Sequence, residues 1–222
     1  MRLRPAVVVL ASGLALAVGT PAVWAGTRPP TAAGPPLASV VATDPVPPST
    51  GPRSDSGTSD VLTRPADPTT AAPSAAPVRL VVPDVGIDAP IDQVGVTPDG
   101  LLQLPDDVHR IGWYRFGPVP GQPQGSAVLA GHVDSWNQGL GALGRLRAVE
   151  PGQRITINDA AGRSTQWQVV TRQLVVKQQL PLAELFARSG PPRLVLLTCG
   201  GPFDESLRSY RDNLIVVAVP AS

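Results

Sequence analysis

Between Trp24 and Trp113 the chain has no Phe, Tyr or Trp, and residues 27–77 hold 12 prolines among Ser, Thr, Ala, Gly and Asp. Such a stretch cannot bury enough apolar surface to offset its ordering entropy. It reads as a disordered Pro-rich linker, extended and semi-rigid, that carries no site. Folding is thereby confined to residues 78–222, and residues 78–220 make one domain of ordinary size. A domain of that length buries a core without disulfides or metals.

Ahead of the linker, Arg2 and Arg4 precede an apolar run over residues 6–18. A basic start followed by an apolar block is the export pattern, so residues 1–26 read as a signal or anchor segment. The uninterrupted run suits a cleaved signal. Counted through Pro21 to Ala25, the stretch is long enough to span a bilayer as a retained anchor. Both readings place the domain outside the cytoplasmic membrane, and the second ties it to the membrane through its N-terminus. The net charge of +1, with no basic stripe interleaved with aromatics, gives no support for a nucleic-acid partner. Asp, Glu, His and Cys do not cluster at metal-ligand spacing, so neither a metal nor a cofactor is expected.

From Val78 onward, short β-rich runs alternate with turn signals. Strands are predicted over residues 78–82, 86–96, 111–116, 126–131, 154–158, 165–176, 193–198 and 213–219. Pro98-Asp99-Gly100 is a turn, with residues 101–104 following it. Pro90 suggests an edge or a bulge in the second strand. The last strand is continuously apolar, which implies burial on both faces. Helices are predicted over residues 140–147 and 181–187, the second with Pro181 at its first position and Glu184 on its exposed face. The fold class that follows is mainly β, a closed eight-stranded barrel with one or two short helices.

The chain has one cysteine, so it forms no internal disulfide. Cys199 is then a buried hydrophobe, an intermolecular partner or a reactive thiol. Its position favours the last: it follows Leu194-Val195-Leu196-Leu197-Thr198 at a strand end and precedes Gly200-Gly201. His132 lies at the end of another apolar run, in Ala130-Gly131-His132-Val133-Asp134. Arg211 lies just before the last strand; if the final two strands are antiparallel neighbours, Cys199 and Arg211 fall close together. The thiolate is the attacking species, and an imidazolium beside it favours that form and later protonates a leaving amine. A guanidinium, permanently charged and rigidly forked, suits the oxyanion of a tetrahedral intermediate. Asp134 either orients His132 or turns the chain. His109 reads as a surface residue, and Trp113, Trp136 and Trp167 as core or rim. A lone Cys, a His and an Arg are a weak signal by residue type alone.

The wording around them is more specific. Leu196-Leu197-Thr198-Cys199-Gly200-Gly201-Pro202-Phe203-Asp204, with Ala130-Gly131-His132, Ile111-Gly112-Trp113-Tyr114 and Arg211 opening the last strand, resembles the sortases, and within them the actinobacterial class F. The resemblance covers residues 78–219. It implies an eight-stranded barrel whose edge holds Cys199 as nucleophile, His132 as acid/base and Arg211 as oxyanion stabiliser. It implies a cysteine transpeptidase that cleaves a Leu-Pro-x-Thr-Gly-like sorting signal of exported proteins through a thioacyl enzyme. An amine, often on a cell-wall precursor, then takes the acyl group. By the same resemblance Thr198 helps hold substrate or oxyanion; strand packing is its other reading. Val195 stands where the family more often has Thr, a departure that touches packing.

Two other readings compete. An exported L,D-transpeptidase shares the β-richness and the compartment, but its Ser-x-Gly-Cys and His-Gly wording is absent. A non-catalytic wall-associated binding module would keep Cys199 buried and inert. No Gly-x-Ser-x-Gly elbow supports a serine hydrolase.

Overall fold

The computed structural model describes residues 31–42 and 75–222. The apolar N-terminal run and the remainder of residues 1–77 lie outside the described residues. The strands are β1 (Ala32–Ala33), β2 (Pro77–Val82), β3 (Ile87–Val94), β4 (Ile111–Tyr114), β5 (Ser126–Gly131), β6 (Asp134–Ser135), β7 (Gly139–Leu140), β8 (Arg154–Asp159), β9 (Ser164–Val176), β10 (Arg193–Asp204) and β11 (Ser209–Pro220). Two short helices, α1 (Leu37–Val41) and α2 (Leu182–Leu185), complete the set.

Eight strands close into a barrel in the order β9-β11-β10-β5-β4-β3-β2-β8, with β8 pairing back onto β9. The β3–β4 and β5–β10 pairs are parallel and the other barrel pairs antiparallel. Closure leaves no open edge among these strands. Alternate residues fill the interior: Leu80 and Val82, Ala127 and Leu129, Trp167 and Val169, Leu194 and Leu196, then Leu214, Val216 and Ala218. The intervening residues Val128, Val195, Ile215 and Val217 face outward and are buried too, under Leu185 of α2 and Leu37 and Val41 of α1. The continuously apolar last strand thus has a cover on each face.

That outer cover corrects the reading of residues 27–77 as wholly linker. Part of this stretch, residues 32–42, is a strap bound to the barrel. Ala32 and Ala33 pair antiparallel with Gln173 and Arg172 of β9. Thr171 Oγ1 donates to the carbonyls of Ala33 and Pro35, at 3.2 and 2.7 Å. Gln173 Nε2 donates to Pro35 O at 2.9 Å. Leu37 and Val41 are then 5% and 1% exposed, and Arg193 Nη2 holds the far end through Ala42 O at 3.3 Å.

Other local differences have local causes. Residues 140–147 form no helix; β7 gives way to turns that end in a 3₁₀ turn at Leu146–Ala148. Gly141 and Gly144 pack directly against the carbonyls of His132 and Val133, where a Cβ has no room. Pro181 is the cap residue before α2, which buries Leu185 and leaves Leu182 exposed. Pro90 lies inside the sheet, on β3 between β2 and β4, and the β4 ladder starts one residue later, at Ile91↔Ile111. Trp113 and Trp167 are core residues with their indole N–H groups bonded to Pro118 O and Thr165 Oγ1.

Candidate active site

The cysteine is not at the end of its strand. β10 pairs with β5 only as far as Leu197↔Ala130, but its ladder with β11 continues through Thr198↔Leu214, Cys199↔Asn213 and Gly200↔Asp212. Beyond the barrel the two strands run on as a ribbon, with a bulge between Gly200 and Phe203, to a turn at residues 205–208. Asp204 caps that turn, accepting from the Ser206 hydroxyl and the N–H of Leu207. Cys199 therefore loses its β5 neighbour while keeping its β11 neighbour, which makes it accessible although it is mid-strand.

Alternation fixes which way each group faces. Leu194 and Leu196 point inward, so Thr198 does as well. Its hydroxyl donates to Gly131 O at 2.8 Å, and the residue is 4% exposed. Thr198 thus ties β10 to the end of β5 and does not line the cleft. Cys199 continues the outward set of Val195 and Leu197. Extended by two residues, the parallel register sets Cys199 beside His132, which follows β5 directly.

Cys199 and His132 line one cleft of 860 Å³. One wall carries Asp134, Trp136 and Gln138; the other carries Phe203, Arg208, Ser209 and Tyr210 from the ribbon. The two walls meet where the Tyr210 hydroxyl donates to Asp134 Oδ2 at 2.5 Å. That bond, with burial and the Asp134 charge, pushes the phenol up to about 12. Asp134 is thus engaged by Tyr210, while His132 bonds elsewhere: its Nε2 lies 3.1 Å from Pro105 O. A carbonyl only accepts, so Nε2 carries the proton, and Nδ1 is the nitrogen left to exchange one. Burial pushes the Cys199 thiol above its ordinary value; the Lys177 ammonium pulls it down and the Asp134 carboxylate pushes it further up.

Arg211 falls inside β11, not before it, and is exposed. It shares the outward face with Asn213, the partner of Cys199, but lies one row further along the ribbon and does not line the cleft. Its charge reaches Asp204, whose carboxyl is held below the usual range first by the Ser206 hydroxyl and the Leu207 N–H. Trp136, 92% exposed on the cleft wall, is a rim residue. His109 is exposed and lies apart from the Cys199 cleft, as a surface residue does.

The family model of the Sortase domain matches residues 80–221, from within β2 to the end of β11. The chain belongs to the sortase family. The structural likeness agrees in fold. A lid mutant of sortase A from Corynebacterium diphtheriae superposes with a TM-score of 0.51 at 19% identity, over 66% of this chain and 70% of that one. Sortase C1 from Streptococcus agalactiae, in its complex with MTSET, gives 0.50 at 22% identity, over 65% of this chain and 67% of that one. No curated protein matches.

Sequence reasoning missed Lys177, Ser209 and Tyr210 at this site. Tyr210 had a signal: it stands beside Arg211 in a segment that the wording already singled out. Lys177 had none, because only the β9–β11 register brings the end of β9 to the ribbon.

Proposed function

We propose that this sortase is an extracytoplasmic cysteine transpeptidase of the class F type, in which Cys199 attacks the scissile carbonyl of a Leu-Pro-x-Thr-Gly-like sorting signal. The reading is carried by one observation: the chain's single thiol and His132 open onto the same cleft at the end of the β5–β10 pair. Attack by the Cys199 thiolate forms a C–S bond and a tetrahedral oxyanion. Collapse expels the amine of the following residue, with the leaving nitrogen taking a proton from His132. A second amine, on a cell-wall precursor or another protein, then attacks the thioester and releases Cys199, returning a proton to His132.

Arg211 is the oxyanion stabiliser in this reading. It stands on the ribbon face that Cys199 occupies, one row away, so rotation of its long side chain from the Asp204 side brings the guanidinium toward the nucleophile. Thr198 acts on substrate through the backbone it fixes, since its hydroxyl is bonded to Gly131. The N-terminal segment directs the chain to the outer side of the membrane, and as a retained anchor it also holds it there. Among the described residues no helix is long and apolar enough to cross a membrane.

The test is incubation of the full chain with a library of Leu-Pro-x-Thr-Gly-pattern peptides and amine nucleophiles. Mass spectrometry should find a thioester on Cys199 and amine-exchanged product, both absent in Cys199→Ala. A wild-type chain whose cysteine resists thiol reagents until it is unfolded would leave the binding-module reading in its place.

A further inference from the structure

β9 ends at Val176, opposite Asp212 of β11, and the chain turns at once into a 3₁₀ turn, Lys177–Gln179. That turn delivers Lys177 to the base of the ribbon. Its Nζ donates to Ser209 Oγ at 2.7 Å, and Ser209 is part of the wall of the Cys199 cleft. Lys177 is half-buried, and among the described residues no carboxylate forms an ion pair with it. Its charge is therefore fixed in place by a neutral hydroxyl and not cancelled.

We propose that Lys177 is a positioning residue for the reaction: its ammonium, held at the cleft wall by Ser209, supplies the positive charge that draws the Cys199 thiol toward thiolate. This rests on the reading of Cys199 as nucleophile and adds to it a cation that is distinct from Arg211. The two cations are held differently. Arg211 is exposed, and its charge bears on Asp204. Lys177 is half-buried and tied to Ser209, which pairs with Asp204 on the ribbon and lines the cleft.

The other charged and titratable groups around the thiol come from every side. Asp106 lies in the loop between β3 and β4, His132 and Asp134 follow β5, Glu205 and Arg208 lie in the ribbon turn, and Tyr210, Arg211 and Asp212 lie on β11. Burial raises the thiol, and of the charges acting on it the Lys177 ammonium favours the thiolate while the Asp134 carboxylate opposes it. The Tyr210 hydroxyl donates to Asp134, so that carboxylate is partly satisfied by a partner other than the thiol.

The experiment is the pH dependence of iodoacetamide alkylation in the full chain, where the one cysteine makes every event report on Cys199. Wild type, Lys177→Met, Lys177→Arg and Ser209→Ala are compared, each first shown to melt cooperatively. Lys177→Met should move the profile up by about half to one pH unit, which is about three- to tenfold less thiolate at neutral pH. Lys177→Arg should restore the wild-type profile, and Ser209→Ala should shift it the same way as Lys177→Met but less. Coincident profiles for wild type and Lys177→Met overturn the inference and leave the nucleophile intact. An arginine variant as slow as the methionine one overturns it too, because the effect would then be shape and not charge. A wild-type cysteine that does not react in the folded chain overturns both readings together.

Discussion

The strap offers the sharpest test of how this fold is held together. Leu37→Ala and Val41→Ala empty the two positions that α1 buries against Val128, Val195, Ile215 and Val217. A fully constrained Leu→Ala change costs about 2–5 kcal/mol, but a helix lying on a surface relaxes, so the lower end, about 2 kcal/mol, applies to Leu37. Val→Ala removes two carbons at about 0.8 kcal/mol each, giving about 1.5 kcal/mol for Val41. The two cannot add without limit. Once the strap is undocked, further damage to it changes nothing, so the loss is capped at the docking free energy. The double variant and a chain that begins at residue 75 should therefore converge on one stability, about 3 kcal/mol below a chain that begins at residue 31. Urea unfolding and thermal melts read this directly; for a domain of this size the drop in melting temperature is about 6–12 °C. The same midpoint for chains beginning at residues 31 and 75 would refute the reasoning, because an ordered, packed strap must add to stability.

Arg211→Lys keeps the charge and loses the fork, so peptide cleavage should fall by about two to three orders of magnitude in kcat; near-wild-type turnover would remove Arg211 from the oxyanion role. Gly141→Ala puts a Cβ 2.3 Å from His132 O and 2.8 Å from its carbonyl carbon, so the backbone that carries the imidazole must move. Activity should drop by about a hundredfold, and more than Cys199 alkylation does, because the displaced imidazole is lost as acid/base as well as a partner of the thiolate. Of the two tyrosines, Tyr210 should ionise late, near its value of about 12, in an ultraviolet phenolate titration, and Asp134→Ala should return it to the ordinary phenol range. Because the folded value is raised above the unfolded one, the stabilisation from this bond is fully present below pH about 10 and is lost as the pH rises through about 12.

The barrel was legible because its strands declare themselves. Residues 127–130 and 194–197 are apolar without a break and too short for helices, which is how strands buried on both faces read. The ribbon was not legible, because Ser209, Arg211 and Asp212 look like loop when read one residue at a time. What makes them strand is pairing: Phe203 stacks edge-on against Tyr210 at 5.1 Å, and Asp204 closes the turn between them. For that reason the cysteine looked terminal. It is terminal with respect to β5 and internal with respect to β11, and a linear reading has no way to separate the two.

The strap was legible in principle, by an argument from need. A last strand apolar at every position from Leu214 to Ala218 requires a cover outside the barrel as well as a core inside it. Within residues 78–222 the fully buried outer cover is Leu185 of α2, with Tyr114, Leu180 and Phe186 partly buried against the same cluster. Further cover comes from upstream, where Leu37, Val40 and Val41 stand at helical spacing in a stretch otherwise broken by proline. Leu197 completes the connection to chemistry. It packs against this outer cluster and lies one outward position before Cys199, so the apolar layer that the strap seals ends at the nucleophile's own row. Loosening the strap should therefore reach the thiol: the Leu37→Ala, Val41→Ala chain is expected to alkylate faster at Cys199 than wild type at the same pH, because the burial that raises the thiol is partly relieved. An unchanged rate in a chain shown by urea unfolding to have lost the strap would confine the strap to stability alone.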